Sequence, residues 1–365
     1  MTDIFEWFLE QEEEFEMKGD HARLAMASLY TKGSALSDSD PQAMIRLFRE
    51  GRDHARRLRE PWWVFFYEVW LTTGYLWGVC DLNNALHLAL HCVNETRKPE
   101  LKEHPFRITA HNTLLSAYLE IDPLGYAGAI RESLRSLSRE IPRQAFGHRY
   151  VLLGQQAYFL LVQGRWKQAR KLAMRMLAEY DQHQSNNDWF LMSAYLSLCA
   201  FAWRERQAAE LRQFAVEAEK IARDFESGFE VAGAQVWQAV AARLNSDEKL
   251  AKRLVRSARN RVRRLGKRPT MGYYDALVAF HELGEDLERC LEARTAELKH
   301  IEGTGRLGYE ADVRIKRCEL LARLGRLAAP DLAQVRASLK PLKNPQPYRK
   351  RLDKLAGPGT RQRRA

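Results

Sequence analysis

The chain has 365 residues, of which 45% are apolar and 29% charged, so it can bury a core and is not compositionally disordered. With 21 Gly and 12 Pro it lacks the turn density of a large β protein or of a collagen-like repeat. Its formal charge of +11 is unevenly held: residues 249–365 carry 29 Lys/Arg against 13 Asp/Glu, whereas residues 1–248 are net −5. Such an asymmetry speaks of partners more than of fold.

The first twenty residues hold eight acidic side chains and one lysine, the opposite of the basic, apolar start of a secretory signal. Helices are expected at about 3–17, 21–31 and 40–58, the last opened by Asp40-Pro41. Residues 1–60 therefore read as N-terminal helices with an acidic start, capping whatever follows. The next segment, Pro61 to Cys80, has a single charge, Glu68, in twenty residues. Its apolarity comes largely from Trp and Tyr, and a central glutamate is costly in a bilayer, so a buried helix is expected here and no membrane span.

From there the chain repeats itself. In Tyr150–Tyr180 one apolar helix runs to Gln163, Gly164 punctuates, and a second begins near Trp166 with apolar residues at Ala169, Leu172, Ala173 and Met176. Taking Ala169 as anchor, the pattern recurs at Ala85, Ala129, Leu211 and Ala251, with gaps of 40–44 residues. Seven residues after each anchor stand Cys92, Ser136, Met176, Ala218 and Ala258. Twelve before stand Thr73, Ala117, Ala157, Cys199 and Ala239. Small residues at both depths let two paired helices approach closely. The Ala129 unit is irregular, because Glu132 falls at an apolar position, and anchoring it on Ile130 restores a face through Leu134 and Leu137.

The Gly164–x–Trp166–x–x–Ala169 turn, with small Ala157 before it, resembles a tetratricopeptide repeat (TPR), although the period exceeds that family's 34 residues. The resemblance covers about Pro61 to Arg264 with fair regularity and extends more loosely to 340. It implies an all-α chain, a right-handed α-solenoid of about seven or eight antiparallel helical hairpins. It further implies a groove lined by the first helix of each pair, which by position carries Tyr67, Trp70, Trp77, His111, Tyr118, Tyr158 and Trp203. The lysine/asparagine clamp by which some members grip chaperone tails has no counterpart, since its asparagine positions are Gly74, Tyr118 and Tyr158.

Further helices are expected at about 271–283, 286–301, 308–324 and 330–340, with Gly284 and Gly325 as turns. Residues 341–365, rich in proline and basic side chains, read as a mostly disordered basic tail.

No fragment assembles a catalytic set. Gly303-Thr-Gly305-Arg-Leu-Gly308 matches GxGxxG but lies between helices without a preceding strand, so an inter-repeat turn is expected. His87 and His91 beside Cys92 lack further ligands at a metal spacing, with His104 and His111 the nearest histidines. The reading is of a non-enzyme without cofactor or metal. The five cysteines (Cys80, Cys92, Cys199, Cys290, Cys318) form no CxxC, which suits a reducing, cytoplasmic compartment.

Two binding surfaces remain. Aromatics along the groove suit a protein or peptide partner, as in an interaction scaffold or a peptide-sensing regulator. Lys249–Arg268 holds ten basic residues and no acid. Its apolar stripe leaves Lys252, Arg253, Arg256, Arg259, Arg263 and Arg264 facing outward, with Lys267 and Arg268 beyond. This face suits an acidic partner or nucleic acid, helped by the C-terminal segment. The acidic start and basic end also permit head-to-tail self-association.

Overall fold

The computed structural model describes residues 4–37, 39–142, 146–183, 188–224, 228–264 and 272–355. It is all-helical: among the described residues there are eighteen α-helices and no strand. They are α1 (Ile4–Lys18), α2 (His21–Ser34), α3 (Pro41–Leu58), α4 (Pro61–Thr73), α5 (Leu82–Glu95), α6 (Arg107–Ile121), α7 (Ala127–Glu140), α8 (Phe146–Val162) and α9 (Trp166–His183). There follow α10 (Asp188–Arg204), α11 (Ala208–Asp224), α12 (Gly228–Leu244), α13 (Glu248–Val262), α14 (Tyr273–Leu283), α15 (Leu287–Ile301), α16 (Leu307–Arg323), α17 (Ala329–Ser338) and α18 (Gln346–Leu355). No helix among the described residues is long and apolar enough to cross a membrane.

Two compact units result, one of residues 1–121 and 128–148, the other of residues 122–127 and 149–365. In the first, the aromatic helix α4 is covered on several sides at once. Phe66 lies 4.8 Å from Phe8, 4.9 Å from Tyr30 and 5.1 Å from Phe106 between ring centroids. Tyr67 is fully buried and its hydroxyl donates to the Met26 carbonyl. Gly51 on α3 permits this approach, since a Cβ there would stand 2.2 Å from the Tyr67 ring. The single charge of the segment, Glu68, is buried and takes Arg56 at 2.6 Å and His91 at 3.1 Å. That pairing answers its desolvation cost inside a protein core rather than in lipid. Beyond Thr73 the helix widens to a π turn at Gly74–Gly78, so the helix expected within Pro61–Cys80 continues in altered register.

In the second unit, successive helices pack on their neighbours in chain order: α9 on α10, then α10 on α11, α11 on α12, α12 on α13. The anchor rule has a direct physical counterpart. Ala85, Ala169, Leu211 and Ala251 are all fully buried, and at the irregular position it is Ile130, not Ala129, that is buried. Cys199 places its sulfur 4.0 Å from the carbonyl of Leu211, twelve residues on, and Cys290 repeats the contact with Val278 at 3.6 Å. Only small side chains allow helices so close.

The turns repeat as well. Gly19, Arg59, Gly164, Arg206, Ser246, Glu285 and Gly325 each adopt positive φ at a helix end. At each, the next residue's N–H bonds a carbonyl five residues back, as Gln207 does to Ala202 and Asp286 to His281. This is the Schellman closure. Asp20, Asp81, Asp247 and Asp286 then cap the following helix, accepting the N–H three residues on. The α6–α7 connection, Asp122–Ala127, breaks this pattern.

Residues 341–355 are not the disordered tail that their composition suggested. They form α18 and its approach, with Leu342, Tyr348 and Leu352 buried against Ala311, Ile315 and Cys318 of α16 and Val335 of α17. Three apolar residues at suitable spacing suffice because an apolar face of α16 is open to receive them. The remaining ten residues lie outside the described range.

Candidate functional site

Helix α13 is built to present charge. Asp247 caps it, accepting the Leu250 N–H at 3.0 Å. Ala251, Val255 and Ala258 are buried against α12, which is itself buried nearly all round. With 100° per residue, Lys249, Lys252, Arg253, Arg256, Arg263 and Arg264 then fall within about 120° of one another on the opposite face. All six are exposed. Lys249 and Arg263 lie about 21 Å apart along the axis at 1.5 Å rise per residue.

What distinguishes this face is how many cations without counter-charge it gathers on one helix. Several arginines elsewhere are matched: Arg107 to Glu140, Arg170 to Glu205 and Glu210, Arg317 to Asp331, Arg351 to Asp312 and Glu319. On α13, among the described residues, Lys249, Arg253, Arg256, Arg263 and Arg264 make no ion pair. Lys252 has one exposed contact, to Glu248 at 3.9 Å, an acid just outside the run that sequence reasoning considered. Such an exposed pair contributes little.

Two members of the basic run serve the fold instead. Arg259 is half-buried, with Nη2 3.0 Å from Nε2 of His281 on α14. Burial and then the charges of Arg259 and Arg289 push His281 down to about 4, so it stays neutral and can accept this bond. Arg261 is also half-buried. Lys267 and Arg268 lie outside the described residues.

The aromatic candidates divide. Tyr67 and Tyr118 are buried and belong to the core rather than to an open surface. Trp70 is half-buried among Tyr30, Phe66 and Phe106. His111 lies beside Thr96 at 3.4 Å, and Tyr158 is half-buried on α8. Trp203 carries the Arg206 guanidinium 4.1 Å from its ring centre. Trp77 alone of the seven is exposed, at 49%. The positional rule put these residues on helices but could not tell which face of each helix its neighbours cover.

His91 spends its imidazole on Glu68, and no cluster of three metal-binding side chains occurs among the described residues. Gly303 and Gly305 both take positive φ in the α15–α16 connection, where they make a turn between helices.

Sequence reasoning missed a buried charge network. Arg294 bridges Asp275 at 2.6 Å and Glu297 at 2.5 Å, and Tyr309 donates its hydroxyl to Glu297. Burial opposes ionisation of Asp275, but Lys316 and Arg294 more than offset it and hold the carboxyl below its usual range. Nothing in the local text flags these residues, since they come from three helices.

No protein-family model matches the chain, and no curated protein shows significant similarity to it.

Proposed function

We propose that this chain is a non-catalytic interaction scaffold, a TPR-like α-solenoid, whose working surface is the exposed face of α13 and whose ligand is an extended polyanion, foremost the phosphate backbone of a nucleic acid. The observation that supports this reading is the row of Lys249, Arg253, Arg256, Arg263 and Arg264, five exposed cations on one helix face that make no ion pair among the described residues. A face of like charge repels itself, which costs helix stability without a partner. Arginine forks match phosphate oxygens, and a 21 Å row spans several successive phosphates.

Binding of a fluorescent single-stranded RNA across ionic strength tests the proposal. Five neutralised phosphates give a slope of roughly −3.5 in log K against log salt. Charge reversal at Arg253, Arg256, Arg263 and Arg264 together should abolish binding. Absence of binding at low salt, or binding that survives the reversal, removes this function.

A second reading rests on Trp77, whose exposed indole in the π turn after α4 suits anchoring of a protein or peptide partner. Trp77→Ala would then weaken capture of a protein partner and leave RNA binding unchanged.

A further inference from the structure

Between the end of α5 and the start of α6 lies a cavity of about 430 Å³, lined by Val93, Thr96, Arg97, Lys102, Arg107 and His111. Three of its six lining residues are cations, one is a histidine, and none is acidic. Its size falls within the usual range for small-molecule sites. Arg107 and His111 stand one turn apart at the start of α6, so their side chains emerge on the same face.

The charge here is not internally cancelled. Among the described residues Glu140 is the one carboxylate paired with the lining, and both its oxygens are already committed. Oε2 takes Arg107 at 2.6 Å, and Oε1 takes the Ser136 hydroxyl at 2.6 Å. Arg97 and Lys102 are exposed and make no ion pair among the described residues. Nearby Glu95 is paired with Lys98 at 2.6 Å. Thr96 donates its hydroxyl to the Val93 carbonyl at 2.7 Å, so its oxygen is free to accept from His111 at 3.4 Å, which holds the imidazole at the cavity wall. The first turn of α6 favours an anion and the last turn of α5 opposes it, so the side chains decide the sign.

We propose that this cavity is a binding site for a phosphate monoester or a free phosphate dianion, gripped by Arg97, Lys102 and Arg107 with His111 as a further donor. The remaining volume, walled by Val93, admits an organic substituent on the phosphate. Burial, opposed by Glu140 and reinforced by Arg107 and Arg97, holds His111 below its ordinary pKa in the empty site. A dianion beside it supplies the missing counter-charge and favours the imidazolium. The site is independent of α13 and stands or falls separately from the polyanion surface.

The test is a titration of the full-length protein, carrying 13C-labelled histidine, with inorganic phosphate and with phosphoserine at constant ionic strength held by chloride. The expected result is a saturable shift of the His111 ring signal and an upward move of its midpoint pH. Arg97→Glu and Lys102→Glu, both at exposed positions that do not threaten folding, should each weaken binding about tenfold or more, whereas Arg256→Glu leaves it intact. Phosphoserine binding more tightly than phosphate identifies a monoester as the ligand; equal affinities identify the free anion. An unmoved His111 signal, an equal shift with chloride, or binding unaffected by both charge reversals overturns the proposal.

Discussion

The main-chain N–H of Lys343 donates to Oδ2 of Asp122 at 3.0 Å, across 221 residues of chain. The other oxygen, Oδ1, accepts the Gly125 N–H at 2.9 Å. Asp122 is 1% exposed, and the surrounding residues close on it: the Lys343 ammonium sits over the Tyr126 ring at 4.6 Å, and Leu124 packs on the α16–α18 cluster. The α6–α7 connection is thus no tight helix turn but a clasp for the chain's C-terminal helices. Gly308 makes room for it, since a Cβ there would lie 3.2 Å from Asp122 Cα and 3.1 Å from Pro123 Cδ.

Asp122→Ala should therefore free residues 340–355. Two charge-assisted hydrogen bonds vanish and two amides are left without acceptors, a cost of about 2–3 kcal/mol. Hydrogen exchange should show the amides of α18 and of Lys343 losing protection while α10 to α13 keep theirs. Unchanged protection of α18 would show that its apolar contacts alone hold it.

The clasp also marks where sequence reading ends. The anchors were legible in part: of the five spaced 40–44 residues apart, Ala85, Ala169, Leu211 and Ala251 are buried, whereas at Ala129 it is the neighbouring Ile130 that is buried. The basic face was legible because a 3.6-residue stripe separates Ala251, Val255 and Ala258 from the arginines. Residues 341–355 were not, because local composition hides Tyr348 and Leu352 among basic residues and prolines, and their burial depends on α16, some thirty residues upstream. Nor could Tyr67 be told from a surface aromatic. Its burial depends on Gly51 and Met26, in helices whose facing sides the local text does not fix.

Among the described residues, five helix ends place a non-glycine residue at positive φ: Arg59, Cys80, Arg206, Ser246 and Glu285. Each L side chain there costs roughly 1 kcal/mol relative to glycine. Glycine's greater freedom in the unfolded chain returns part of that. Arg206→Gly and Glu285→Gly should each raise stability by about 0.5–1 kcal/mol, read as an increased urea midpoint with unchanged slope. A decrease would mean that the side chains' own contacts outweigh the backbone strain.

Arg294 ties α15 to α14 by charge, through Asp275. Its side chain is 7% exposed and that of Glu297 1%, so removing one leaves the other desolvated and unpaired. Arg294→Met should cost about 3–5 kcal/mol. Lysine cannot fork to Asp275 and Glu297 together and should restore only part. Adding Glu297→Gln to Arg294→Met removes the orphaned charge while keeping an acceptor for Tyr309, and should recover much of the loss. Non-additivity in this cycle, measured by denaturant unfolding, is the expected signature.

His104 gives the first unit an acid-sensitive element. Its Nδ1 accepts the Phe106 N–H at 3.2 Å, which leaves the proton on Nε2, facing the Trp62 carbonyl at 3.2 Å. Burial pushes its pKa down to about 4, against a smaller upward pull from that carbonyl. A folded-state value below the unfolded one means the neutral form stabilises the fold. That stabilisation is complete above about pH 6.5 and is lost as pH falls toward 4. At about 1.4 kcal/mol per pH unit between those two values it amounts to roughly 3.5 kcal/mol. His104→Gln, which cannot titrate, should start from lower stability at neutral pH and show a flatter decline between pH 6.5 and 4. An unchanged acid limb would assign that decline to other groups.

The α13 face offers the sharpest contrast between stability and function. A substitution that harms only folding lowers both, and one at an idle surface changes neither. Arg256→Glu places an acid three residues from Arg253 and Arg259 and four from Lys252, relieving repulsion on the helix. Pairs of this kind stabilise by about 0.3–0.5 kcal/mol each, so the thermal midpoint should rise slightly. The same change puts a negative charge in the middle of the row and removes one phosphate contact outright. RNA affinity should fall at least tenfold at low salt, and the salt slope should shrink by roughly 0.7 per lost contact. Repulsive charge kept at the expense of helix stability is what a polyanion-binding face requires, since the partner supplies the counter-charge. A midpoint that rises while affinity holds would show instead that the arginines of α13 face only solvent.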